Sequence, residues 1–112
     1  MKLRTKIWVE HDGELVFGPG RAELLLAVEE RGSISAAATA LDMSYRHAWS
    51  MIRASEERLG RSLVATSRGG SGGGGAHLTD YARDLVARFK NIKRDFDELS
   101  AEKREAFEGL AD

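Results

Sequence analysis

The sequence predicts a mainly helical α+β fold in a single domain. An Ala-rich segment with a very short turn indicates two closely packed helices. Two apolar stretches broken by glycine-containing turns indicate β-hairpins, and a long amphipathic C-terminal segment indicates a further helix. The chain has 112 residues, which is enough for one hydrophobic core, and we expect residues 1–112 to form one domain.

Residues 1–18 are predicted to form an N-terminal β-hairpin. Apolar and polar residues alternate over residues 3–9, and a second apolar run follows at residues 15–17. The dipeptide Asp12-Gly13 between them is a strong signal for a hairpin turn. We expect this hairpin to cover one side of the core or to widen a dimer contact.

A helix is predicted over residues 21–31, at the start of a core that spans residues 19–78. Leu24, Leu25 and Val28 would form its buried stripe. Gly32 follows it and is predicted to end it, since glycine readily takes the left-handed conformation that closes a helix.

Two more helices, joined by a tight turn at residues 41–43, are predicted next. Ser33 would cap the first of them, whose Ala-rich run strongly favours helix. Asp42 lies where the turn requires a left-handed residue, and aspartate is one of the few side chains that tolerate this conformation. Ser44 would cap the second helix.

The second of these helices, residues 44–59, has two different faces. Its small and apolar residues recur at steps of three and four and predict a buried stripe: Ala48, Ile52, Ser55 and Leu59. Its basic and polar residues would face outward: Arg46, His47, Ser50 and Arg53. This arrangement is typical of a helix-turn-helix, whose second helix enters the DNA major groove. The alternative is an ordinary helical hairpin with a solvated polar face.

A hairpin is predicted to follow the helix pair. Residues 62–68 have strand-like composition, six of the seven residues at 69–75 are glycine, and residues 76–78 would form the returning strand. In this position the hairpin, residues 66–78, is typical of the wing of a winged helix. Glycines allow close approach to a sugar-phosphate backbone, and their N–H groups can bond phosphate oxygens. A flexible loop is the alternative; a phosphate-cradling P-loop is excluded because no Gly-Lys-Ser/Thr follows.

Residues 79–112 are predicted to form a long dimerisation helix capped by Thr79. Its apolar residues recur at heptad spacing, as in a coiled coil, and form a seam: Leu85, Phe89, Ile92, Phe96 and Leu99. The seam is longer than one small domain needs to cover itself, so we predict a homodimer. The alternative is a helix laid back on its own domain.

Composition narrows the function classes. The net charge is −1, but residues 43–75 carry five arginines against two glutamates, a local charge of +3 that attracts phosphate. Cysteine is absent, which excludes disulfides and thiolate metal sites. No zinc spacing and no acid/base constellation is visible, so we expect no enzyme, no metal and no cofactor. With no apolar run suited to a membrane span or signal peptide, we expect a cytoplasmic protein.

Several motifs together resemble one family. They are Ser-Ile-Ser-Ala-Ala-Ala, Met-Ser-Tyr-Arg-His-Ala-Trp, Glu-Arg-Leu-Gly, and Leu-Val-Ala-Thr followed by the glycine-rich segment and Ala-His-Leu-Thr. Over residues 21–99 the chain resembles the N-terminal winged-helix domain of the molybdate-responsive ModE family, which is itself similar to LysR-type DNA-binding domains. The resemblance implies a homodimeric, sequence-specific transcription regulator. It extends to no oxyanion-binding domain, so no molybdate site is implied, and a separate effector-sensing partner stays open.

The residues predicted to contact DNA lie at the start of the first helix of the pair, on the second helix and in the wing. Arg46 is suited to a guanine edge or a phosphate. Tyr45 and Trp49 flank the buried stripe and are expected in the core, although an outward Tyr45 would reach the groove. In the wing, the family usually has a lysine where this chain has Ser71, which leaves backbone amides, Arg68 and His77 as candidates to bind phosphate. The full predicted set is Ser33, Ser35, Ser44, Tyr45, Arg46, His47, Ser50, Arg53, Arg68 and Ser71.

The sequence thus predicts a homodimeric regulator of double-stranded DNA, with residues 44–59 in the major groove and the wing on the backbone. One alternative is a winged helix used for protein contacts in a regulatory or metal-handling complex. A weaker one is a small enzyme or oxyanion binder that uses the glycine loop.

Overall fold

A computed structural model describes residues 1–67 and 75–110. This part of the chain contains, in order, β1 (Val9–His11), β2 (Glu14–Phe17), α1 (Pro19–Arg31), α2 (Ile34–Ala40), α3 (Tyr45–Leu59), β3 (Val64–Ser67), β4 (Gly75–Leu78), α4 (Asp80–Glu102) and a short 3₁₀ helix (Arg104–Phe107). The strands form two separate antiparallel pairs, β1 with β2 and β3 with β4. The predicted mainly helical α+β fold is confirmed.

The N-terminal hairpin is shorter than the sequence predicts. Asp12 and Gly13 form its turn with φ angles of 51° and 78°, the left-handed pair that a tight hairpin requires. Pairing begins only at Val9, which lies opposite Phe17, so the strand expected from residue 3 was wrong. Since Pro19 already begins α1, β2 has no further residues with which the preceding segment could pair.

The helix-turn-helix forms as its local signals predict. Ser33 accepts a hydrogen bond from the Ala36 amide at 3.0 Å, and Ser44 accepts one from the His47 amide at 3.0 Å. Asp42 has φ 56° in the turn between α2 and α3. Ala37, Ala38 and Ala48 are fully buried between the two helices, where methyl side chains allow the helix axes to come close.

The wing strands pair from Val64 with Leu78 to Ser67 with Gly75. They are attached to the helix-turn-helix by two contacts. The Ala76 amide donates to the carbonyl of Gly32, which precedes α2, at 2.8 Å. Glu56 of α3 accepts from the Leu63 amide at 2.8 Å and the Val64 amide at 3.3 Å.

Glu29 joins α1 to both the wing and α4. Its carboxylate accepts from the Leu78 amide at 2.8 Å and pairs with Arg83 at 3.0 Å. These two hydrogen bonds, the backbone one first, lower the pKa of Glu29 below its ordinary value.

Helix α4 divides its apolar seam between two environments. Phe89 is 4% exposed and packs edge-to-face on Phe17, with ring centroids 5.1 Å apart. Ile92, Phe96 and Leu99 are 49%, 43% and 47% exposed. The second half of α4 therefore projects past the core, and the described chain is elongated, 61 × 29 × 21 Å. The N-terminal segment runs beside this half, where the Ser100 hydroxyl donates to the Leu3 carbonyl at 3.2 Å.

Two sequence expectations for this helix need correction. Two residues of the predicted dimer seam pack on the core of the chain itself: Leu85 is half-buried against it, and β2 places Phe17 directly against Phe89. The helix ends at Glu102 and gives way to the 3₁₀ turn, where no described residue is buried.

Candidate nucleic-acid interface

The outer face of α3 is exposed, and its polar side chains have no hydrogen-bond or ion-pair partner among the described residues. Arg46, His47, Ser50 and Arg53 all lie on it. Among the described residues, the side chains of these four make neither a hydrogen bond nor an ion pair. The opposite face carries Ala48, Ile52 and Ser55, at most 2% exposed. The polar face is therefore held outward by the packing of the apolar one, and its donors are available to a partner.

Tyr45 departs from the sequence expectation. It is 51% exposed rather than part of the core, because it begins α3 where the helix has only just left the turn. The Trp49 indole N–H donates to the Tyr45 hydroxyl, and the two rings meet edge-to-face with centroids 6.5 Å apart. Trp49 is half-buried and packs against the core. Trp49 thus supports Tyr45 on the same surface as Arg46.

The serines predicted to contact DNA differ in their surroundings. Ser33 is half-buried, whereas Ser35 and Ser44 are exposed. Ser33 and Ser44 use their oxygen as helix caps, but each keeps its hydroxyl hydrogen for another acceptor. All three lie at helix starts, where the backbone dipole favours an anion.

The predicted wing contacts fall partly outside the description. Arg68 and Ser71 lie outside the described residues. The strands that lead to that loop expose Thr66, Ser67 and His77. The described part of the wing therefore exposes polar side chains next to the predicted contact loop.

Two arginines of the basic region at residues 43–75 already have partners within the protein, which the sequence could not show. Arg58 pairs with Glu14 at 2.9 Å and donates to the Leu15 carbonyl at 2.6 Å. Arg61 lies over the ring of Tyr81, 5.3 Å from its centroid. Arg58 thus fixes α3 to the N-terminal hairpin. These contacts join distant parts of the chain, and no sequence spacing signals them.

Sequence reasoning also missed the role of Glu56. It counts as a negative charge in a basic region, yet its carboxylate holds the base of the wing against α3. A glutamate late in a helix gives no signal for this role.

Within residues 1–67 and 75–110, no group of three acidic or histidine side chains is placed to hold a metal ion. In the same residues no helix has the length and apolar character needed to cross a bilayer.

Comparison with known families decides what this arrangement is. The family model for bacterial regulatory helix-turn-helix proteins of the lysR family matches residues 20–83. That span contains α1, the helix-turn-helix, both wing strands and the start of α4. The chain belongs to the LysR family of bacterial regulatory helix-turn-helix proteins.

Proteins with similar sequences carry the ModE name, which confirms the resemblance of this chain to the ModE family. The chain is 38% identical over 76 residues to the molybdenum transport protein ModE of Azotobacter vinelandii, covering 68% of this chain and 28% of that protein. It is 36% identical over 112 residues to the transcriptional regulator ModE of Yersinia pestis, covering 100% and 37%. The chain thus spans about a third of the length of these curated relatives.

Solved LysR-family structures share the fold. A crystal structure of a CbnR_DBD–DNA complex superposes with a TM-score of 0.57 at 26% identity, covering 76% of this chain and 97% of that one. ArgP from Mycobacterium tuberculosis gives a TM-score of 0.56 at 25% identity, covering 75% and 30%. Both neighbours thus share the helix-turn-helix fold of this chain, and one of them was solved in complex with DNA.

Proposed function

We propose that this chain binds double-stranded DNA as a homodimer and regulates transcription, with α3 in the major groove and the wing on the backbone. The observation that carries the proposal is the free outer face of α3. Its basic and hydroxyl side chains have no partner among the described residues, and the buried stripe behind them fixes their direction.

Each residue of this face suits a different kind of contact. The Arg46 guanidinium fits the O6 and N7 acceptors of guanine, the commonest specific contact in the major groove. His47 and Ser50 are shorter and reach bases or phosphates only where the helix lies deepest. Arg53 lies two turns further along α3 and is suited to a phosphate at the groove edge.

Phosphate contacts would flank the groove contact on both sides. Ser33 is the N-cap of α2 and Ser35 lies in its first turn, where hydroxyl and backbone N–H groups together suit an anion. On the other side, the wing would follow the backbone through Arg68, Ser71 and glycine amides. The proposal assigns these residues to positioning rather than to base recognition.

The homodimer is supported by the uncovered half of the α4 seam. Ile92, Phe96 and Leu99 recur at steps of four and three and remain about half exposed in one protomer. An apolar stripe at this spacing is covered when a second helix packs along it. A second copy of the same helix offers the matching stripe.

Charge along α4 favours an antiparallel pairing of the two copies. Residues 88–94 carry four basic and no acidic side chains, whereas residues 95–102 carry four acidic and no basic ones. In a parallel pair, like charges would face each other. An antiparallel pair centred near Phe96 places Ile92 opposite Leu99 and the basic segment of one copy beside the acidic segment of the other.

The test of DNA binding is a gel-shift titration on genomic fragments across a salt series. For a dimer that neutralises about 6 to 10 phosphates, log affinity should fall with log salt at a slope of about −5 to −9. A flat salt dependence with no shifted band would refute the proposal and favour a winged helix used for protein contacts.

A matched pair of variants tests the placement of α3. Arg46→Ala should weaken specific binding by ~1 to 3 kcal/mol while the circular dichroism spectrum is unchanged. The control is Arg104→Ala, which removes the same charge from the 3₁₀ turn that follows α4. Equal losses for both variants would show that only net charge matters and that Arg46 makes no specific contact.

A further inference from the structure

A cavity lies on a different surface from the outer face of α3. It has a volume of about 430 Å³ and is lined by Lys6, Trp8, Leu15, Arg21 and the backbone of residues 18–20. None of the predicted DNA-contacting residues lines it. Its volume falls within the range of small-molecule sites.

The charged lining is entirely positive. Lys6 and Arg21 contribute two cations, and no carboxylate of the described residues lines the cavity. The Nε of Arg21 donates to the Ser55 hydroxyl at 2.7 Å. Within the described residues, the two terminal nitrogens of Arg21 make neither a hydrogen bond nor an ion pair. A half-buried guanidinium with free donors is suited to an anion.

The surroundings of Arg21 show that its charge is not neutralised. Burial, first, and then the positive charge of Arg58 lower the pKa of Arg21 below the ordinary value. Arg58 has its own partner, Glu14, at 2.9 Å. An anion that entered the cavity would therefore meet an uncompensated cation in a partly dry setting, where attraction is stronger than in water.

The remaining lining is aromatic and apolar. Trp8 is 52% exposed, and its indole N–H donates to Glu10, which does not line the cavity. Leu15 is 37% exposed. A Cβ on Gly18 would lie 3.3 Å from the Cβ of Trp8, a tight contact, so glycine lets Trp8 lie close to the start of α1. The indole of Trp8 offers a flat surface to a planar group.

The start of α1 adds to the positive lining. Its N-cap, Gly18, supplies no side-chain acceptor, and its first turn contains no acidic residue. The amides of Gly20 and Arg21 therefore lack the capping partner that Ser33 and Ser44 give to α2 and α3. The helix dipole favours an anion at this end.

We propose that this cavity binds a small aromatic carboxylate, with the carboxylate at Lys6 and Arg21 and the ring against Trp8 and Leu15. The site does not depend on DNA binding. Its Arg21 is hydrogen-bonded to Ser55, which is 1% exposed on the buried face of α3. The ligand would thus lie one side chain away from the helix-turn-helix.

Isothermal titration calorimetry of the full chain with 2-naphthoate tests the proposal. We expect saturable 1:1 binding that Lys6→Gln and Trp8→Ala each weaken by about tenfold or more, the loss expected for one charged hydrogen bond or one aromatic contact. Both residues are exposed, so these variants should keep the fold. Arg4→Gln is the matched control, since it removes a charge from the same segment without touching the cavity.

Two ligand controls separate the charge from the ring. Neutral 2-naphthalenemethanol should bind far more weakly than naphthoate, and sulfate should bind far more weakly as well. Absence of saturable binding up to about 5 mM naphthoate would overturn the proposal. It would also be overturned if Arg4→Gln weakened binding as much as Lys6→Gln, or if the neutral alcohol or sulfate bound as well as naphthoate.

Discussion

Two phenylalanines on the α4 seam should respond to the same substitution in opposite ways. Phe89→Ala should destabilise the folded chain, whereas Phe96→Ala should leave the chain folded and weaken the proposed homodimer. The residues lie seven positions apart on one helix face, so helix propensity and side-chain type are the same for both. Only their surroundings differ.

The cost at Phe89 follows from its burial. The side chain is 4% exposed and packs on Phe17, whose residue exposure is 0%. Truncation of a fully buried phenylalanine leaves a cavity and typically costs about 3 to 5 kcal/mol. That loss is a large fraction of the total stability of a small domain, ~5 to 15 kcal/mol.

The loss of dimer stability on Phe96→Ala follows from the fraction of the Phe96 side chain that is exposed. Full burial of a phenylalanine contributes ~1.5 to 3 kcal/mol, and 43% of Phe96 is left for a partner to cover. This corresponds to roughly 0.6 to 1.3 kcal/mol per copy. With two copies in a symmetric dimer, the dissociation constant should rise about 10- to 80-fold.

Two measurements distinguish these outcomes. Urea unfolding at low protein concentration reports protomer stability, and sedimentation equilibrium reports the dimer dissociation constant. Low concentration is needed for the first because dimerisation itself stabilises the folded state. Equal destabilisation of the protomer by both variants, with an unchanged dimer constant for Phe96→Ala, would refute the division of the seam.

Four further changes have defined outcomes. Glu29→Gln should make the melting temperature fall less steeply as the pH is lowered. The pKa of Glu29 is lowered in the folded state, so its carboxylate stabilises the fold fully above the unfolded pKa of 4.5. This stabilisation is lost as the pH falls through the folded pKa. Asp42→Val should cost ~1 to 2 kcal/mol in urea unfolding, since a β-branched residue resists φ 56°. Glu56→Ala should cost ~1 to 3 kcal/mol in the same assay, because a part-buried backbone amide loses its acceptor. Lys93→Glu should raise the dimer dissociation constant about 2- to 30-fold in sedimentation equilibrium if the helices are antiparallel, and the added Glu98→Lys should restore it.

Each of these changes has a matched control. Glu30→Gln, on the exposed side of α1, should leave the pH profile intact. Asp42→Gly should be tolerated, and Glu56→Gln should cost less than the alanine because its amide oxygen still accepts. An unchanged dimer constant for Lys93→Glu would contradict the antiparallel arrangement, and a pH profile unaltered by Glu29→Gln would contradict the role given to that carboxylate.

The features that sequence reasoning predicted well depend on neighbouring residues. Ser33 and Ser44 cap their helices, Asp42 takes the left-handed turn conformation, and Gly32 ends α1 with φ 80°. Each of these depends on local hydrogen bonding or backbone sterics within about four residues. The periodicity of α3 likewise predicted which of its faces is buried.

The features that it missed depend on contacts between distant residues. The seam spacing of α4 is uniform, so it gives no sign that Phe89 packs on Phe17 while Phe96 stays uncovered. The alternation of apolar and polar residues before Val9 predicted a longer β1. This pattern does not show that the partner strand, β2, ends at Phe17.

The candidate site shows the same limit. The outward direction of Arg46 and Ser50 follows from helix periodicity. The contact of the Trp49 indole N–H with the Tyr45 hydroxyl does not, because it depends on how the two side chains are oriented at the surface. The engagement of Arg58 by Glu14, 44 positions earlier in the sequence, is equally invisible to spacing rules.

Hydrogen bonds join the base of the wing to the helix pair at two points. Gly32 and Glu56 hold the base of the wing at fixed distances from α2 and α3. In the proposed complex, a duplex that contacts both α3 and the wing would have to match one offset between the floor of a groove and a neighbouring row of phosphates. The choice of DNA sequence would then also depend on the stiffness of base steps that the protein does not contact.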